Sequence, residues 1–226
     1  MSEGKRRLVI FDVDGTLADS QSDILGAMQL AFAAEGMSCP ARSEILGVVG
    51  LSLPVLMTVL AADADASTQA RLVEGYREAY TTLRAEQGSA VSSPLYPGTA
   101  EMLAELRTRP EVVLGVATGK SRRGLDKLIE GHRMQGIFVT QQVADTHPSK
   151  PHPSMIMQAL SETGVAAESA VMIGDTSFDM EMAAAAGVTG IGVRWGYHGQ
   201  ERLTAAVHML DSFGDLAPLL DTIWKD

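Results

Sequence analysis

The chain has 226 residues, enough to bury a full core, and with 46% apolar residues and few aromatics it fits closely packed α/β layers and excludes a disordered chain. A formal net charge of -10 excludes a nucleic-acid polymer as partner, because binding a phosphate backbone draws on clustered Lys and Arg. The single cysteine, Cys39, excludes an intramolecular disulfide and a cysteine-based zinc site and points to a reducing, cytoplasmic setting, while no apolar run reaches the ~18 residues of a membrane span or follows a signal-peptide pattern.

Leu8 to Phe11 reads as a buried parallel strand that ends in Asp12, Asp14 and the Gly15-Thr16 turn, after which Asp19 or Ser20 offers a helix N-cap. From about Ser20 to Ser92 only helical periods occur, with Ile24, Met28, Ala31 and Phe32 on one apolar stripe and Val55, Leu56, Val59 and Leu60 on another. Gly47 to Ser52 interrupts this stretch, and Pro94 with Pro97-Gly98 closes it. Past Gly98 the chain alternates. Helices are expected near Thr99 to Thr108, Ser121 to Glu130, Pro153 to Thr163, Met180 to Ala186 and Phe213 to Ile223, and strands at Val112 to Ala117, Ile137 to Val139, Ala170 to Ile173, Val188 to Val193 and Val207 to Leu210. The expected fold is α/β: a Rossmann-like parallel sheet with helices on both faces, built from residues 1–19 and 93–226, carrying an inserted all-helical cap over residues 20–92.

Four polar groups fall just after predicted strands: Asp12 with Asp14, Thr118-Gly119-Lys120, Lys150, and Gly174-Asp175 with Asp179. In an open parallel sheet the carboxyl ends of the strands border one crevice, so these groups converge there. Carboxylates are costly to bury unpaired, and several at one crevice call for a hard cation with oxygen ligands, for which Mg2+ is the natural choice. A carboxylate shielded in this way can attack a phosphate dianion, with a second one moving the proton.

The series Asp-x-Asp-Gly-Thr, strand-Thr-Gly, Lys-Pro and Gly-Asp-x-x-x-Asp resembles the haloacid dehalogenase superfamily over nearly the whole chain. The resemblance implies a Mg2+-dependent phosphatase in which Asp12 is the nucleophile, Asp14 the general acid and base, and Thr118, Gly119 and Lys150 hold the phosphoryl group. Asp12, Asp14, Asp175 and Asp179 form the implied metal set, with Asp179 acting directly or through water. Trp195-Gly196-Tyr197 is similar to a segment of phosphoglycolate phosphatase-like members, although a structural role beneath the sheet end fits it equally. The partner implied is a small phosphorylated metabolite, phosphoglycolate-like before nucleotides, sugar phosphates or pyrophosphate; oligomeric state is not readable.

The cap narrows the chemistry. Among similar members, phosphonoacetaldehyde hydrolases need a cap lysine, yet no Lys lies between Lys5 and Lys120; sugar phosphomutases use a cap His, and none precedes His132. Dehalogenases lack the aspartate matching Asp14. An inactive phosphate-binding or phosphoacceptor module would keep the sheet without needing Asp14. Gly47 to Ser52 resembles the family's specificity loop, and Arg42, Arg71, Arg77 and Arg84 are the cap cations, of which the last three are expected in surface pairs with Glu74, Glu78 and Glu86. A calcium loop at Asp12 fails because Thr16 stands at the third ligand position, and a P-loop at Gly119 fails because Leu114 replaces its first glycine. Gly190-x-Gly192 lies on a strand, where close packing explains it. Lys120 is expected on the surface at a helix start, Thr16 bonded within its own turn, and the five histidines in loops or on the surface, without the spacing of a metal site.

Overall fold

The computed structural model describes residues 6–225, apart from the side chains of Glu86, Gln87 and Ser89. After β1 (Arg7–Phe11) come five helices, α1 (Gln21–Ala34), α2 (Arg42–Leu46), α3 (Leu53–Leu60), α4 (Ala66–Gln87) and α5 (Ser89–Ser92). The chain then runs through α6 (Thr99–Leu106), β2 (Val112–Thr118), α7 (Arg122–Gly131), β3 (Thr140–Val143), α8 (Ser154–Thr163), β4 (Ala170–Gly174), α9 (Ser177–Ala185), β5 (Thr189–Val193), β6 (His208–Leu210) and α10 (Leu216–Ile223). The six strands form one parallel sheet in the order β3-β2-β1-β4-β5-β6, as the alternation of elements predicts. The order reverses between β1 and β4, and a crevice opens at such a switch point.

Side chains alternate across a strand, and both faces of this sheet are covered. Leu8 and Ile10 join Met155 and Ile156 of α8 and Met182 of α9; Val9 and Phe11 join Leu103 of α6, Leu125 of α7 and Leu216 of α10. Each such side chain contributes about 1.5–3 kcal/mol by leaving water. The helices between β1 and β2 have a separate apolar cluster, in which Ile24, Met28 and Phe32 of α1 meet Leu56 and Met57 of α3 and Leu72 of α4. Their way in and way out run side by side: Asp19 N–H donates to Pro94 O at 2.8 Å and Tyr96 N–H to Leu17 O at 3.0 Å.

Two local expectations change, and a third, the helix N-cap at Asp19 or Ser20, is met in position. The strand expected at Ile137 to Val139 starts three residues later, at Thr140, because Phe138 is spent on the core and Val139 is exposed, whereas Thr140, Gln141 and Gln142 continue the ladder to β2. Only half of the second helical stripe faces the apolar cluster: Leu56 is buried and Leu60 packs partly buried against it, whereas Val55 and Val59 are exposed and Met57, outside the expected stripe, is buried instead. At the start of α1, Ser20 holds the N-cap position without a side-chain bond, and Asp19 Oδ1 accepts from the Gln21 N–H at 3.2 Å.

Candidate active site

β1 delivers Asp12 to the switch point, and Asp12 N–H donates to Ile173 O of β4 at 2.9 Å, which seats it beside the end of that strand. Asp175 follows β4 directly. Asp179 lies on the first turn of α9, where it closes a capping box with Thr176: Asp179 Oδ2 accepts from the Thr176 N–H at 3.1 Å and its hydroxyl at 2.7 Å. The loop after β3 brings in Lys150, whose ammonium is 2.9 Å from Asp12 Oδ1 and 2.6 Å from Asp179 Oδ1. All four side chains are buried.

The oxygen inventory separates the three carboxylates. Asp175 Oδ1 accepts from the Thr16 hydroxyl at 3.1 Å and Oδ2 from the Tyr197 N–H at 2.7 Å, and Asp179 is held by Thr176. Asp12 Oδ1 is held by the Lys150 ammonium at 2.9 Å, while its Oδ2 accepts no hydrogen bond. It is the least restrained of the set. Asp12, Asp175 and Asp179 each offer an oxygen within 4.8 Å of the others. When all three are ionised, the carboxylates against one ammonium leave two negative charges uncompensated, and a hard divalent cation with oxygen ligands fits that deficit.

Electrostatics follow from this crowding. Burial pushes the Asp12 carboxyl up to about 7; Lys150 pulls it down, and Asp179 and Asp14 push it further up. Asp175 is raised well above the usual carboxylate range by burial and then by Asp179 and Asp12. Burial opposes the charge on Lys150, but Asp12 and Asp179 hold its ammonium above the usual lysine range.

Asp14, expected in the metal set, stands outside this trio: its Oδ1 is 2.6 Å from Lys120 Nζ. Thr118 is fully buried at the end of β2, and its hydroxyl oxygen accepts from the Lys120 N–H at 3.2 Å. Gly119 touches the Gly47 to Ser52 loop so closely that a Cβ there would lie 2.7 Å from Gly50 O. Gly15 has φ +81°, and a Cβ on it would lie 2.1 Å from Asp175 Oδ2, so both the turn and the close approach require glycine. The Trp-Gly-Tyr segment belongs to the same arrangement, since Trp195 Nε1–H donates to Thr16 O at 3.1 Å and Tyr197 carries the N–H that holds Asp175.

Several residues read as peripheral are central. Thr16 bonds within its turn, its N–H donating to Val13 O at 3.2 Å, and its hydroxyl also reaches across to Asp175. Lys120 is buried and connects Asp14 to the Tyr80 hydroxyl of α4, 3.1 Å away. His198 is buried too: its Nδ1 accepts from the Ser177 N–H at 3.0 Å, which leaves Nε2–H to donate to Gly47 O at 3.1 Å. Burial lowers its pKa. Among the cap arginines only Arg77 keeps an expected partner, Glu74; Arg71 pairs with Glu35 at 2.9 Å, Arg42 donates to Gln21, and Arg84 is buried 3.5 Å from Asp23. The side chain of Glu86, expected beside Arg84, lies outside the described residues. Apart from Arg77 with Glu74, the partner is remote in sequence in each case, so local spacing carried no sign of it. A cleft of about 1810 Å³ separates the helical segment from the sheet edge and is bordered by Asp12, Asp14, Gly119, Lys120, Leu51 and Arg84.

The profile of the haloacid dehalogenase-like hydrolases matches residues 9–193. A protein of Dickeya dadantii named "Probable phosphatase IndB" is 34% identical over 223 residues, spanning 96% of this chain and 95% of its own. A phosphoglycolate phosphatase of Xanthomonas campestris is 30% identical over 84% of each chain. In structure, a hydrolase from Pseudomonas syringae superposes with a TM-score of 0.84 at 24% identity, covering 97% of this chain and all of that one, and shows the shared fold. A haloacid dehalogenase-like protein from Streptococcus pneumoniae gives 0.81 at 25% identity over 95% and 98% of the two chains. With the motif residues gathered at the switch point of the sheet and the profile spanning most of the chain, this protein belongs to the haloacid dehalogenase-like hydrolase family.

Proposed function

We propose that the protein is a Mg2+-dependent phosphatase that hydrolyses a small phosphate monoester through an aspartyl-phosphate, with a phosphoglycolate-like substrate favoured over nucleotides, sugar phosphates and pyrophosphate. The observation that carries the reading is the buried meeting of Asp12, Asp175 and Asp179 around Lys150 beside an open cleft. Residues 1–19 and 93–226 serve as the catalytic core and residues 20–92 as the cap that borders the cleft.

Asp12 attacks phosphorus, and its carboxylate is suited to this because its Oδ2 accepts no hydrogen bond that must first be broken. Asp14 gives a proton to the departing oxygen and then takes one from the water that opens the acyl phosphate. The Thr118 hydroxyl, the Gly119 N–H and the Lys150 ammonium hold the phosphoryl oxygens while charge redistributes. Asp12, Asp14, Asp175 and Asp179 are the set proposed to hold Mg2+, a reading supported for Asp12, Asp175 and Asp179 by the closeness of their oxygens, and Asp14 serves in addition as acid and base. When bound, the ion offsets the repulsion between nucleophile and phosphate. Support for the substrate class comes from the relatives named phosphoglycolate phosphatase.

The test is phosphate release from p-nitrophenyl phosphate and from a panel of phosphate monoesters, with Mg2+ and with EDTA. Asp12→Asn is expected to abolish turnover and Asp14→Asn to slow it by at least about 10²-fold. Wild-type protein without metal-dependent phosphate release, or an Asp12→Asn variant at full rate, refutes the proposal.

A further inference from the structure

Where the helical segment meets the sheet edge, two cations share one aromatic ring. Lys120 Nζ lies 5.3 Å from the ring centre of Tyr80, and the Arg84 guanidinium carbon lies 5.2 Å from it. Like charges brought together in a largely dry seam repel, and something must repay that repulsion. Asp14 faces Lys120 at 2.6 Å, and Asp23 faces Arg84 at 3.5 Å while also accepting from the Ser93 hydroxyl at 3.0 Å. These anions leave donors over. Of the three N–H groups of Lys120, one serves Asp14 and one the Tyr80 hydroxyl at 3.1 Å. Arg84 gives Nη1 to Gly124 O at 3.2 Å and turns Nε toward Asp23 Oδ2 at 3.5 Å, but its Nη2 is buried without any acceptor, and the residue is 8% exposed. Buried donors without acceptors are uncommon in folded proteins and call for an acceptor from elsewhere. Both residues border the cleft that also holds Asp12 and Asp14.

We propose that Lys120 and Arg84, gathered around Tyr80, form a subsite for a carboxylate on the leaving-group side of the substrate. A carboxylate has two acceptor oxygens and no donor, which matches a spare ammonium N–H of Lys120 and the unpartnered Nη2 of Arg84. The position suits the leaving group: Lys120 contacts the residue assigned to protonate the departing oxygen, so a carboxylate close to the ester oxygen falls beside it. Tyr80 orients the pair through its hydroxyl and ring, and it comes from α4, so the charge is read across the seam between helical segment and sheet. The inference rests on the phosphatase reading and adds to it the residues that select the substrate.

The experiment compares 2-phosphoglycolate with ethyl phosphate, which differs in lacking the carboxylate. Wild-type kcat/KM is expected to favour 2-phosphoglycolate by about 10- to 100-fold, the range of a charge-assisted contact. Lys120→Met and Arg84→Met should each bring the ratio toward one, chiefly by raising KM for 2-phosphoglycolate, and Lys120→Arg should restore part of it. Glycolate should inhibit wild type competitively and the Lys120→Met variant about tenfold less well. Equal kcat/KM for both esters in wild type, or variants that slow both esters by one common factor, overturns the subsite while leaving the phosphatase reading intact; failure to release phosphate from any ester overturns that reading instead. If Arg84→Met does not fold, Lys120→Met and the glycolate measurement decide.

Discussion

Replacing Lys150 by Met keeps the length of the side chain and removes the one ammonium that faces Asp12 at 2.9 Å and Asp179 at 2.6 Å inside the protein. Breaking a buried ion pair by deleting one partner costs about 3–5 kcal/mol. Two pairs share this ammonium and their energies do not add, and Asp12, already pushed up to about 7, can take a proton to relieve part of the loss. The expected cost is therefore about 3 kcal/mol at pH 8, which in a chain of this size lowers Tm by roughly 6–12 °C in EDTA. Mg2+ near 100 times its Kd stabilises a folded protein by about 2.7 kcal/mol. In the variant the ion meets a more negative site, so the Mg2+-induced rise in Tm should exceed that of wild type. Thermal melts followed by circular dichroism, with EDTA and with Mg2+, measure both quantities. A variant that melts within about 2 °C of wild type in EDTA, or a Mg2+ shift no larger than the wild-type one, refutes the idea that Lys150 and the ion share the neutralisation of these carboxylates.

Three further outcomes follow from the same geometry. A carboxyl that holds its proton more tightly folded than unfolded stabilises below the unfolded pKa and loses that contribution as pH rises; for Asp12 the window runs from 3.8 to about 7, so in EDTA the stability of wild type relative to Asp12→Asn should fall across it, and a flat difference contradicts the burial argument. His198→Phe deprives the partly buried Ser177 N–H of its acceptor, at a cost of about 1–3 kcal/mol and roughly 5 °C in Tm; because burial lowers the His198 pKa, its contribution is full above 6.5 and fades as pH falls, so a gap between wild type and variant that widens in acid is the wrong result. Gly119→Ala would place a Cβ 2.7 Å from Gly50 O and push the Gly47 to Ser52 loop outward, so KM for phosphate esters should rise on the order of 10-fold with a smaller change in kcat; an unchanged KM counts against that loop bordering the bound substrate.

The fold was legible where hydrophobic pattern and burial coincide. Leu8 to Phe11 is buried on both faces and reads as a continuous apolar run for that reason. β3 lies at the sheet edge, and its stability comes from polar groups: Gln142 donates to Thr140 and Glu162, and His147 is bonded to Gln142, so apolarity pointed to the neighbouring loop instead. In the candidate site, the residues that end strands could be placed because the end of a strand is a position visible in sequence. Lys120, Arg84 and His198 could not. Each looks ordinary beside its neighbours in the chain and gains its surroundings from a partner 40 or more residues away, namely Tyr80, Asp23 and Gly47. Such pairings depend on how the helical segment lies against the sheet, which no local pattern encodes.

The adjoining backbones at Leu17 to Asp19 and Pro94 to Tyr96 make one seam through which five helices are attached. A module joined at a single seam can be exchanged, lengthened or redecorated without rethreading the sheet that carries Asp12, Lys150 and Asp175. On the proposed division into a core of residues 1–19 and 93–226 and a cap of residues 20–92, selectivity and reaction chemistry can diverge at separate rates, and grafting residues 20–92 between related proteins tests whether substrate choice travels with them.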